Sequence, residues 1–187
     1  MTARLLAGDA RVEVTIIDYS FPDLVTIGGI RIENDYEANW LDVIVAATDG
    51  RTHLRVPKKS CLLNWEVVEL ARWMEKLAAG RRPRWGFSGI ETRPAFQLSD
   101  DGTRLEVGLD PSTYPFELSL SPDSDSIAAF ARQLKQEVAP FRLRVLERNG
   151  PANRVAVRFR ALEAGDGGGT RGVAKGSRGK GTAVPDE

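Results

Sequence analysis

The chain has 187 residues, 42% of them hydrophobic, which suffices for one ordinary domain with a core that needs no disulfide. A single cysteine, Cys61, excludes an internal bridge; no apolar run approaches the ~20 residues of a membrane span, and the first residues lack a signal-peptide core, so a cytosolic protein is expected. Formal net charge is zero, which removes any global attraction to nucleic acid or an anionic membrane, yet residues 1–50 hold nine acidic groups against three arginines. That asymmetry has two readings: an acidic surface, or acidic and basic strands that neighbour each other in the fold.

In chain order, residues 11–19 alternate Val12, Val14 and Ile16 against Arg11, Glu13 and Thr15, the period of a half-buried strand. Phe21, Pro22 and Asp23 break it. Ile30 and Ile32 flank Arg31 in a short second strand, and Glu33, Asn34 and Asp35 turn out of it. The clearest hairpin follows. Leu41, Val43, Val45 and Ala47 share one face, Asp49-Gly50 is a two-residue turn signal, and Leu54 and Val56 return on the partner strand, which Pro57, Lys58 and Lys59 end.

Residues 64–80 carry a start signal, a stop signal and a helical stripe between them. Asn64 is the expected N-cap, Glu66 and Glu69 favour the positive end of the helix dipole, and Gly80 and Pro83 terminate the helix. Val67, Leu70, Ala71, Met74, Leu77 and Ala78 fall on one face, while Arg72, Glu75 and Lys76 face away. Strand-like segments resume at Trp85 and Phe87, at 95–98, at 104–109 and at Phe116, Leu118 and Leu120, spaced as a meander. A second helix is predicted over 124–139, capped by Asp123 or Ser124, with Ile127, Phe130, Ala131, Leu134 and Val138 as its stripe and Pro140 as its stop. Residues 141–148 and 153–162 read as a final hairpin. From about Glu163 the chain is rich in glycine and nearly free of large apolar residues, so 163–187 is expected to be a disordered basic tail.

The expected architecture is a single α+β domain over 1–162. An antiparallel sheet of six or more strands would carry the two helices, 65–79 and 124–139, on one face, because each helix has one apolar stripe and each strand one apolar side.

Residues suited to chemistry are sparse. His53, the one histidine, sits opposite Leu54's face in the hairpin and reads as a surface residue, and Cys61 in SCLL reads as a small core residue. One His and one Cys cannot build a usual zinc site, no phosphate-cradling glycine motif precedes a helix, and no cofactor is implied. Glu33, Asp35, Glu37 and Asp42 are close enough in sequence to suggest an oxygen-rich metal site, but their spacing fits no binding loop and a solvated acidic turn is favoured. Arg142 and Arg144 on one strand, with Arg154, Arg158 and Arg160 on the next, line the polar face of the last hairpin, and the tail adds more basic residues. No aromatic residue interleaves with them as a stacking platform. Trp40, Trp65, Trp73 and Trp85 lie at element edges and are expected to pack in the core, Trp73 being partly exposed because it is off its helix's main stripe.

The order FPD, YEANWLDV, a hairpin and then CLLNWEVVELARWMEKLAAG resembles the WapI-type immunity proteins of bacterial contact-dependent toxin systems. Asp35 to Leu41 correspond to that family's D-Y-D-A-N-W-L-like strand. Leu62, Leu63, Asn64 and Glu66 match its helix start, and Trp73 and Met74 its helix interior. The segment from Phe87 to Leu98 resembles a further strand pair of the family, with Glu91 and Phe96 kept and E-T-R at 91–93 where the family has E-P-N. Coverage is about residues 11–140, and 141–187 lies outside. The resemblance implies a non-enzymatic protein that occludes the active site of a cognate toxin C-terminal domain. If the toxin is a nuclease its surface is basic, and Glu33, Asp35, Glu37 and Asp42 become the candidate contacts. The alternative is a nucleic-acid-associated module using Arg142, Arg144, Arg158 and Arg160.

Overall fold

The computed structural model describes residues 1–25, 29, 31–32, 34–89, 94–109, 117–149 and 154–160, with the backbone alone for 58, 147–149 and 154–160. The expected tail at 163–187 therefore lies outside the described residues.

Alternation of apolar and polar residues builds a first antiparallel sheet of four strands in chain order: β1 (Ala3–Ala7), β2 (Ala10–Tyr19), β3 (Trp40–Thr48) and β4 (His53–Leu63). Ala3, Leu5, Val12, Val14, Ile16, Leu41, Val43 and Val45 are buried on one face. β1 is absent from the sequence-based expectation, since ARLLA is short and shows little alternation. Asp49-Gly50 is not a two-residue turn: Thr48 pairs with His53, and Asp49 Oδ1 closes the four-residue loop by accepting the N–H groups of Arg51 at 2.8 Å and Thr52 at 2.6 Å. Nor does Pro57 end β4. The strand lies at the sheet edge and pairs only with β3, so a residue without an N–H is tolerated there.

A bulge between Leu41 and Val43 lets β4 run on to Leu63. It places Ser60 at φ 47, a left-handed backbone that a non-glycine residue adopts only when held. Asp42 Oδ1 and Ser20 Oγ each accept the Ser60 N–H at 3.0 Å, and Ser20 donates its hydroxyl to Asp42 at 2.5 Å.

A four-residue helix, α1 (Asp35–Ala38), precedes β3, and α2 (Asn64–Ala78) follows β4 directly. Asn64 is not the cap. It is fully buried inside the first turn, and the extended Leu63 takes the cap position, donating its N–H to the Glu66 carboxylate at 2.8 Å. The stripe is as expected in Val67, Leu70, Ala71 and Met74, all at 0% exposure. Gly80 at φ 70 ends the helix, its N–H and that of Arg81 reaching back to Leu77 and Lys76.

The second four-stranded antiparallel sheet is β5 (Phe87–Ser88), β6 (Ala95–Leu98), β7 (Leu105–Gly108) and β8 (Glu117–Leu120). Then comes α3 (Ser124–Val138), capped by the Asp123 carboxylate on the Ser126 N–H at 2.6 Å. α3 packs on α2 and along β1. Ser126 Oγ both accepts the Leu6 N–H at 2.9 Å and donates to the Leu6 carbonyl at 2.8 Å, and Gln133 accepts the Arg4 N–H at 2.7 Å. Side chains of α3 thus close the free edge of β1, which would otherwise invite strand pairing with another chain. The last hairpin is β9 (Leu143–Asn149) and β10 (Arg154–Arg160).

The class is α+β with antiparallel sheets, as expected, but the ten strands among the described residues are divided among three sheets rather than joined in one. One apolar cluster unites the inner faces of both four-stranded sheets with the stripes of α2 and α3. The expected second strand around Arg31 is a single bridge to Val25. Trp85, placed in a strand and in the core by sequence, is in neither: it precedes β5 and is 74% exposed.

Candidate functional site

Asn34 caps α1 by accepting the Glu37 N–H at 2.7 Å, and this one helical turn sets Asp35 and Asn39 side by side against β9. Asn39 is fully buried and its amide is used on both sides. Oδ1 accepts the Arg144 N–H at 2.8 Å and the Asn64 amide at 2.9 Å, while Nδ2 donates to the carbonyls of Arg144 at 2.8 Å and Asp35 at 2.5 Å. Two residues on, Asp35 Oδ1 accepts the Leu146 N–H at 2.5 Å. Asp35 and Asn39 therefore do for β9 what a neighbouring strand would do. Asn64 Nδ2 adds longer contacts to the carbonyls of Phe141 and Arg142, and the Tyr19 hydroxyl donates to the Arg142 carbonyl.

The Arg144 side chain completes the arrangement. Its guanidinium lies 3.4 Å from the centre of the Tyr19 ring and donates to the Phe21 carbonyl at 2.8 Å, leaving the residue 7% exposed. Burial lowers its pKa, opposed by Tyr19, Asp18 and Asp23. Burial likewise raises the Tyr19 phenol, and the adjacent guanidinium partly offsets that rise.

The sequence-predicted residues are accordingly divided. Asp35 is exposed but hydrogen-bonded to β9, and Asp42 is half-buried and holds the Ser60 bulge. Glu37 is exposed on α1, and Glu33 lies outside the described residues. Arg142 is exposed, contributing its carbonyl to the latch that Tyr19, Asp35, Asn39 and Asn64 form on residues 141–146, whereas Arg144 is not on a polar face at all. Arg158 and Arg160 pair in β10 with Val145 and Leu143, their backbone alone being described. One arginine of the last hairpin thus lies against the N-terminal segment, through the Tyr19 ring and the Phe21 carbonyl, while β9 and β10 form a sheet of their own. Sequence reasoning missed Asn39 as a site residue and assigned Asn64 to capping. Asn39 stands within the family-like motif, which marks its position but not its partner. Among the described residues no group of three or more His, Cys, Asp or Glu is arranged to hold a metal, and no helix is long and apolar enough to cross a membrane.

Compared with known protein families, the chain matches the immunity protein WapI-like family over residues 4–142. The chain belongs to that family. Comparisons with curated proteins and with solved structures gave no match. In this WapI-like protein the matched segment contains Tyr19, Asp35, Asn39 and Asn64, whereas β9 begins at Leu143, one residue past its end. The conspicuous polar residues of the family-like motif thus serve to dock a hairpin that the family match does not include.

Proposed function

We propose that this WapI-like protein is a binding protein without chemistry of its own, which neutralises a cognate toxin domain by covering its active surface. Membership of the family over 4–142 carries the reading. An acidic contact surface at Glu33, Asp35, Glu37 and Asp42 would meet a basic, nuclease-like toxin face and steer association. Glu37 is the member most available for this, exposed on α1, because Asp35 and Asp42 already hold backbone groups. The nucleic-acid reading loses Arg144, whose guanidinium is engaged internally.

The test uses the C-terminal domain of any toxin encoded beside this chain's gene. The wild-type chain should abolish the toxin's activity in co-expression and bind it in stoichiometric complex. Glu37→Lys should slow association and flatten its salt dependence. Binding of a labelled RNA by the wild-type chain, with no capture of the toxin domain, would overturn the reading in favour of the alternative.

A further inference from the structure

The second sheet has two unlike faces. Phe87, Phe96, Val107 and Leu118 turn into the core, and the opposite face forms a trough of about 570 Å³ lined among the described residues only by the sheet and Gly86. Its floor is low for reasons visible in the register. Ala95 pairs with Gly108 and Gly108 with Glu117, so Glu117 stands beside a residue with no side chain. Gly86 has no room for one, since a Cβ there would lie 2.8 Å from the Phe96 carbonyl oxygen. In the next row Gln97 pairs with Glu106 and donates to its carboxylate at 2.9 Å, which holds that carboxylate on the trough's face of the sheet toward β6.

Among the described residues, Glu106 and Glu117 are the two charged residues that line the trough, and both are acidic. They are diagonal neighbours on adjacent strands, roughly 7–8 Å apart at the backbone. Side chains i and i+2 on one face of an extended peptide are separated by about 6.6–6.8 Å, which is nearly the same spacing. Directly before Gly86 stands Trp85, the most exposed aromatic among the described residues, with its carbonyl fixed by the Trp73 indole N–H at 2.8 Å. An exposed tryptophan next in sequence to a residue of the trough is the kind of residue that anchors a protein interface, and its ring already carries one cation, the Arg84 guanidinium 5.2 Å from its centre.

We propose that this trough seats an extended segment of the protein partner bearing lysine or arginine at positions i and i+2, each cation pairing with one of Glu106 and Glu117 while Trp85 packs on the segment's flank. The identity of the partner rests on the toxin-binding reading; the trough and its cationic occupant do not.

The experiment has two arms on the full chain. In the first, ¹⁵N-labelled protein is titrated with the synthetic peptide Gly-Ser-Arg-Thr-Arg-Ser-Gly, with a version carrying glutamate for arginine, and with one carrying adjacent arginines. The first peptide should shift the amides of Gln97, Glu106, Gly108 and Ser119 and the Trp85 indole, an effect that fades with salt. The glutamate peptide should not, and the adjacent-arginine peptide should bind several-fold more weakly. In the second arm, Glu106→Gln/Glu117→Gln and the trough-filling Ala95→Leu should each weaken binding of the neighbouring toxin domain tenfold or more, with circular dichroism unchanged. Peptide shifts that map elsewhere, or wild-type toxin affinity retained within twofold in both folded variants, overturn the trough. Peptide shifts in the trough with no toxin bound by the wild-type chain support the trough and overturn the toxin reading.

Discussion

At the scale of single residues, the chain shows how one buried amide can organise a surface. Asn39 satisfies both backbone groups of Arg144 and orients Asn64, so replacing it with leucine removes four hydrogen bonds while keeping the volume. Each buried group left without a partner costs roughly 1–3 kcal/mol. Asn39→Leu should therefore lose about 3 kcal/mol or more in urea unfolding, and a loss below ~0.5 kcal/mol would mean that the latch carries no stability. Tyr19 makes the same region sensitive to alkali. Burial raises its phenol above the ordinary 10.0, so the folded state favours the neutral form. Stability from such a group is fully present below pH 10.0 and is lost as pH rises from there through the folded value. In an absorbance titration at the phenolate band, Tyr19 should ionise above the ordinary tyrosine value of 10.0, and Tyr19→Phe should remove that late phase.

At the scale of elements, what was legible in the sequence was whatever is signalled locally. Asp123 and Gly80 carry their helix signals in their own side chain or its absence, and both act as expected. The stripe of α2 is a period, and a period survives any tertiary context: Val67, Leu70, Ala71 and Met74 are all at 0% exposure. Leu70→Asp should accordingly unfold the domain, because an unpaired charge in the middle of that stripe cannot be solvated; an unchanged thermal midpoint would contradict the burial of this face. What was not legible depended on partners distant in sequence. Asn64 has a cap's chemistry, but Asn39 and the carbonyls of 141 and 142 bury it. Pro57 is a strand breaker except at an edge, and edge position is a property of the sheet. The candidate acidic and basic groups were visible as charges. That Arg144 turns inward toward Tyr19 and Phe21 is a contact across more than a hundred residues, and no spacing encodes it.

At the scale of the whole molecule, two four-stranded sheets and two helices share one apolar cluster, and Phe96 makes one of the contacts that join the second sheet to α3. Its ring lies 6.4 Å from that of Phe87 within the sheet and 6.3 Å from that of Phe130 on α3, and the side chain is fully buried. Phe96→Ala should cost about 3–5 kcal/mol, because the lost transfer energy is joined by a cavity that neighbours on two different elements cannot both relax to fill. If the shared cluster makes the described elements one cooperative unit, the variant's loss will appear as a single earlier transition. Far-ultraviolet circular dichroism, which reports all the sheets and helices, should then coincide with tryptophan fluorescence, to which Trp40 on β3 and Trp65 and Trp73 on α2 contribute from outside the second sheet. Two separated transitions in urea would instead mean that the second sheet unfolds on its own. In that case the trough on its outer face would belong to a unit whose stability is independent of α2 and the first sheet, and Phe96→Ala would weaken cationic-peptide binding without moving the main unfolding midpoint.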